Sequence, residues 1–132
     1  MVANGREPTQ VYAEVEKVAR QFHYSNKFGS IPIFTKSVLD RVTKKNTHSA
    51  YGKGIGYSWS KIKNLVKSNS PIILSLYNDG RNYYRNHSVT IVGYKEYNGG
   101  RIKILSIYDN WKDTVSYIDF SKLSTISSIN YL

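Results

Sequence analysis

Two runs of β-branched and aromatic residues constrain this chain most. They are Asn86-His87-Ser88-Val89-Thr90-Ile91-Val92-Gly93-Tyr94 and Ile102-Lys103-Ile104-Leu105-Ser106-Ile107-Tyr108-Asp109-Asn110-Trp111. Such residues suit the pleated, half-buried surface of a strand. Between the runs lies Lys95-Glu96-Tyr97-Asn98-Gly99-Gly100-Arg101. Asn-Gly-Gly supplies positions that tolerate φ > 0, so a β-hairpin is predicted with its turn near Asn98. Folding back there brings the end of the second strand beside His87. Two registers are open. In one, His87 faces Trp111 and Asp109 lies diagonally on the same face; in the other, His87 faces Asn110 and Asp109 points away. Either one places a hydrogen-bonding group where it can orient the imidazole.

Polar residues also end strands without doing chemistry. Three features favour function here. His87 is the one polar ring at the mouth of an otherwise apolar strand, an acid and an amide recur at the matching end of its partner, and Trp111 follows to shield the pair from water. A histidine with an orienting partner is the second half of a nucleophile-base-orienter arrangement.

The segment Asn86 to Tyr94 resembles the His-bearing strand of papain-like cysteine peptidases, especially the bacterial branch that includes the bacteriocin-processing peptidases. In that branch a strand with His, small and branched residues, then Gly-Tyr, precedes a strand ending in Asp or Asn with a nearby Trp. Asp109-Asn110-Trp111 resembles that ending. The resemblance implies that His87 is the general base, Asp109 its orienter with Asn110 as the alternative, and Trp111 the shielding indole. Upstream, Trp59-Ser60-Lys61-Ile62-Lys63-Asn64-Leu65-Val66 leading into Pro71-Ile72-Ile73-Leu74-Ser75-Leu76 resembles the helix and strand that come before the His strand. The resemblance covers roughly Trp59 to Phe120, and more weakly the helical region before it.

One departure decides the chemistry: the chain contains no cysteine. A cysteine peptidase attacks with a thiolate activated by the neighbouring imidazole, and no residue here takes that role. The family carries its Cys at the start of a long N-terminal helix, after a Gln that helps bind the oxyanion, and no stretch here matches that segment. Ser25 and Ser30 precede helical or turn segments, but neither opens a helix behind a Gln. Lack of cysteine also excludes disulfides and thiolate metal sites, and leaves the compartment open.

The chain is 132 residues long, a length that fits one domain but is lean for a complete papain-like fold with both a helical and a β half. Its formal charge of +10 would draw anionic partners through long-range attraction. The basic residues nevertheless form no run of five, and a solvated face that keeps the protein soluble explains them, so no specific nucleic-acid binding is expected. No stretch approaches the ~18 apolar residues of a membrane span, and the N-terminus lacks a signal pattern. His23, His48 and His87 are far apart without ligand spacing, so neither a metal nor another cofactor is expected.

Taken in order, Met1 to Pro8 reads as a loose end. A helix is predicted from Thr9, its possible cap, with Val11, Val15, Val18, Ala19 and Phe22 at helical spacing. A second helix is placed from Ser30-Ile31-Pro32, burying Ile33 or Phe34, Val38, Leu39 and Val42. The glycines of Gly52-Lys53-Gly54-Ile55-Gly56 lack a phosphate loop's context, and the stretch Lys44 to Tyr57 reads as a connector, with a substrate-side loop as the alternative. Ser58 or Ser60 caps a short amphipathic helix bearing Trp59, Ile62, Leu65 and Val66. The run Ile72 to Leu76, apolar but for Ser75 and without polar alternation, suggests a strand buried on both faces. Asn78 to Arg85, polar and carrying two Tyr and two Arg, is placed to border a cleft. Val115 to Phe120 reads as a strand, and Ser127 to Leu132 as a last strand or ragged end.

The expectation is an α+β fold, with N-terminal helices packed on an antiparallel sheet of four to five strands. Residues 1–132 are read as a single cysteine-peptidase-like domain lacking the Cys-bearing helix. Such a domain keeps the His/Asp part of the site and is inactive alone, as a truncated or degenerate peptidase. The alternative is a non-catalytic basic module binding a peptide or anionic partner. Expected partners are a peptide or protein ligand, a separate Cys-bearing segment, or a second copy. The resemblance favours a bacterial protein at or outside the cell surface.

Overall fold

The computed structural model describes residues 7–25, 34–45, 48–51, 58–70, 72–76, 84, 86–123 and 128–131. The chain divides into two compact units, Met1–His48 and Ser49–Leu132.

In the first unit, α1 (Pro8–Gln21) begins one residue earlier than expected. Pro8 opens it because the first helical position needs no amide donor. Thr9 therefore lies inside the first turn, and Glu7 occupies the cap position with no side-chain bond. The second helix, α2 (Thr35–Thr43), starts later than the Ser30-Ile31-Pro32 expectation and ends where Lys44 turns left-handed at φ 55°. Residues 30–32 lie outside the described residues. Phe34 brings the two helices together, its ring 6.1 Å from that of Phe22 and 5.6 Å from that of His23. Arg41 of α2 donates to Gln21 at 2.7 Å.

The second unit contains α3 (Trp59–Lys67) and strands β2 (Ile72–Leu76), β3 (His87–Tyr97), β4 (Ile102–Tyr108), β5 (Ser116–Asp119) and β6 (Ser128–Tyr131). Pairings β6-β2-β3-β4-β5 are antiparallel throughout. The expected α+β architecture is thus present, with a five-stranded antiparallel body. Short β1 (His48–Tyr51) adds a further strand beside β6, giving the order β1-β6-β2-β3-β4-β5. That strand falls in the segment expected to be a connector. The Gly52 to Gly56 stretch itself lies outside the described residues.

The hairpin forms where the sequence places it, with Asn98, Gly99 and Gly100 all at positive φ (52°, 64° and 85°). The first strand, β3, runs three residues further than its apolar run indicates, since Lys95-Glu96-Tyr97 still pair with Ile104-Lys103-Ile102, whereas β4 ends at Tyr108, short of Trp111. Near the His87 end the pairs are Thr90↔Tyr108 and Ile91↔Ile107. This is the register that sets His87 against Trp111. A bulge at Val92 then shifts the pairing, so that Gly93 meets Ser106 and Tyr94 meets Leu105. One extra residue inverts the in-out alternation. Upstream, the odd-numbered residues Val89 and Ile91 are buried; downstream, the even-numbered Tyr94 packs against the same core. Gly93 suits the crossing, because a Cβ there would lie a tight 3.3 Å from that of Ser106.

The core joins Ile72, Leu74 and Leu76 of β2 with Val89, Ile91, Leu105, Ile107, Ile118 and Ile129, and α3 inserts Trp59 and Ile62. Ser58 caps α3 by accepting from the Lys61 amide at 3.3 Å, as expected. The Trp59 indole packs on Phe120 at 5.1 Å and edge-on to Tyr94 at 5.7 Å, while its N–H donates to Glu96. Lys63 also reaches the Glu96 carboxylate at 3.1 Å, and these two donors hold its pKa below the ordinary value. The bulge is what turns Glu96 towards α3.

Truncating Ile62, which is fully buried, to Ala is expected to destabilise the second unit by about 2–5 kcal/mol, since it leaves a cavity between helix and sheet. Ser58→Ala is expected to cost about 1 kcal/mol through loss of the cap. Denaturant midpoints check both; an Ile62→Ala midpoint matching the wild type would contradict this packing.

Candidate active site

His87 opens β3 and pairs with Leu76, so the pleat directs its side chain to the face that carries Leu74 and Val89. Its ring is only partly covered. Across the hairpin the chain leaves β4 at Tyr108, and Asp109 begins the turn that leads to β5.

His87 Nε2 lies 2.6 Å from the main-chain carbonyl oxygen of Asp109. A carbonyl only accepts, so Nε2 carries a proton and donates, and in the neutral ring Nδ1 then keeps the lone pair. The ring is thereby fixed in one tautomer with its basic nitrogen directed away from the strand partner. Trp111 stacks on the imidazole, with centroids 4.4 Å apart and planes at 27°. Tyr84 completes the cluster, 6.0 Å from His87 and 5.3 Å from Trp111.

The Asp109 carboxylate is engaged elsewhere. Oδ1 accepts the amides of Trp111 at 2.9 Å and Lys112 at 3.2 Å, an Asx-type turn. Oδ2 accepts the hydroxyls of Tyr84 at 3.0 Å and Ser116 at 2.9 Å. An ionised carboxylate has about four acceptor positions, so these donors saturate it. The side chain is buried, at 1% exposure, and the Trp111 amide, followed by Ser116, Tyr84 and Lys112, outweighs the cost of desolvation and lowers its pKa from 3.8 to about 2.

The structure brings His87, Asp109 and Trp111 together, but not through the contact expected between His87 and the Asp109 carboxylate. Asp109 meets His87 through its backbone oxygen, because its carboxylate closes the following turn instead of reaching across the hairpin. Asn110, the alternative orienter, makes no hydrogen bond to the imidazole. It sits exposed in left-handed backbone at φ 62°, a conformation that Asn tolerates and that reverses the chain after Asp109. Trp111 does cover one face of the imidazole, although it remains 55% exposed. An open cleft of about 470 Å³ beside it is lined by Tyr108, Asn110, Trp111, Lys112 and Asp113. Of the Asn78 to Arg85 segment expected to border a cleft, only Tyr84 is among the described residues. Neither Tyr84 nor Ser116 was foreseen as a partner of Asp109. Position three residues ahead of His87 was the only hint for Tyr84, and nothing in the sequence marked Ser116.

Among the described residues no three His, Asp or Glu side chains gather to hold a metal ion, and no helix is long and apolar enough to cross a membrane.

An antiparallel sheet with a helix on the face that bears an oriented histidine, its strand partner and a stacked indole defines a relative of the papain-like cysteine peptidases. The model of the Peptidase_C39 like family matches residues 4–127, and the chain belongs to that family. No match was found among curated proteins. The family match extends well upstream of the Trp59 to Phe120 stretch on which the sequence resemblance rests, so α1 and α2 belong to the family region too. Without a cysteine in its 132 residues, the chain offers no thiolate.

The depressed pKa of Asp109 has a definite sign. The ionised carboxylate favours the folded turn, fully so above the ordinary value of 3.8, and that contribution is lost as the pH falls through about 2. The amide proton shifts of Trp111 and Lys112 are expected to titrate with a midpoint near 2 and to show no such step in Asp109→Asn. A midpoint at 3.8 would contradict the saturated carboxylate.

Proposed function

We propose that this protein is a degenerate cysteine-peptidase-like domain that retains the base side of the site without a nucleophile and acts by holding a peptide segment, not by cleaving it. The observation that carries the reading is the placement of His87: its tautomer is set by the Asp109 carbonyl and one ring face is covered by Trp111, yet the chain has no thiol to activate. A neutral imidazole with an outward lone pair is a general base; without a nucleophile it is only a hydrogen-bond acceptor.

The cleft at Trp111 supports the binding half of the proposal. Half-exposed Tyr108 and Trp111 offer apolar surface, and Asn110, Lys112 and Asp113 offer polar groups at its edges. Aromatic anchors with a polar rim are the usual composition of a recognition surface. The formal charge of +10 favours an acidic peptide through long-range attraction.

The expected result with a fluorogenic mixture of unstructured peptides is no turnover above buffer, in wild type and in His87→Ala alike. Hydrolysis by the wild type that His87→Ala abolishes would overturn the reading.

A further inference from the structure

The imidazole depends on a carboxylate that it does not touch. We infer that Tyr84 and Ser116 are positioning residues for His87, acting through Asp109. Their hydroxyls donate to Oδ2 at 3.0 and 2.9 Å, from the segment ahead of β3 and from the first residue of β5. Oδ1 meanwhile holds the Trp111 and Lys112 amides of the turn. With Oδ1 bonded alone, the carboxylate could pivot about its side-chain torsions. The second pair of donors, arriving from two other parts of the chain, fixes its plane. A fixed side chain on Asp109 fixes the backbone from Asp109 to Lys112, and that backbone supplies both the carbonyl to which His87 donates and the indole stacked on it.

Tyr84 contributes twice. It is buried at 9% exposure, and its ring lies within 19° of parallel to the imidazole and 5.3 Å from Trp111. Its hydroxyl anchors that ring to the carboxylate that builds the turn, so the three rings and Asp109 form one interlocked unit. Ser116 lies on β5, where it pairs with Ile107, and its bond to Asp109 couples that strand to the site.

The inference rests on His87 being the site's functional group, but its test reads geometry and not hydrolysis. Peptide turnover would defeat the proposed function and leave this test unchanged. Tyr84→Phe keeps the ring and removes the hydroxyl; Ser116→Ala removes the other donor; Ser116→Thr restores it. In each full-length variant, nuclear Overhauser effects between the His87 and Trp111 rings and the amide shifts of core residues such as Leu105 are measured. Expected is loss of the ring-to-ring effects in Tyr84→Phe and Ser116→Ala, their return in Ser116→Thr, and unchanged core shifts in all three. Ring-to-ring effects as strong as wild type in both deletions would overturn the inference. So would their loss together with displaced Leu105 shifts, which would make both hydroxyls general supports of the sheet.

Discussion

The saturation of one buried carboxylate shapes the functional end of this molecule. Asp109 collects donors from the turn that follows it, from Tyr84 and from the start of β5. Burying a charge is costly unless its acceptor sites are filled, so the folded site requires all four donors around the carboxylate. That requirement ties the hairpin, the β4 to β5 connection and the approach to β3 into one arrangement. It also explains why the histidine is met by a backbone oxygen: the carboxylate has no acceptor position left for it.

A second constraint is the one-residue bulge at Val92. Without it the residues facing the core at one end of β3 would face away at the other. With it, His87, Val89 and Ile91 share a face with Tyr94 and Glu96, and one side of the sheet can hold the site at one end and dock α3 at the other. Trp59 and Lys63 converge on Glu96, so a polar contact fixes where the helix sits on an otherwise apolar interface. This pair mirrors the logic at Asp109, where a carboxylate also recruits donors from separate segments.

Much of this was legible in the chain. Asn98-Gly99-Gly100 named the turn because few other residues occupy left-handed backbone cheaply. The Ser58 cap and the stripe of Trp59 and Ile62 named α3, and the apolar run from Ile72 named the central strand. What could not be read were facts that depend on distant partners. The bulge at Val92 leaves no local mark, since valine suits a strand whether paired or extra. The last strand, Ser128–Tyr131, inserts between β1 and β2, a placement set by pairing at long sequence separation. At the site, proximity of His87 and Asp109 followed from the hairpin, but the choice between carbonyl and carboxylate depended on Tyr84 and Ser116, which sequence spacing does not connect to Asp109. Local signals fix elements; the identity of the contacting atom is a tertiary matter.

The chain thus belongs to a peptidase-like family while lacking the atom on which thiol chemistry depends, and its geometry around the imidazole is nevertheless fully specified. The account stands on the donation from His87 Nε2 to the Asp109 carbonyl. Long-range proton–nitrogen correlation spectra of the wild-type imidazole, recorded where the ring is neutral, test it most directly. The account requires the proton on Nε2 and a bare Nδ1. A ring protonated on Nδ1, with Nε2 unprotonated, would contradict it, because two acceptors cannot share that contact.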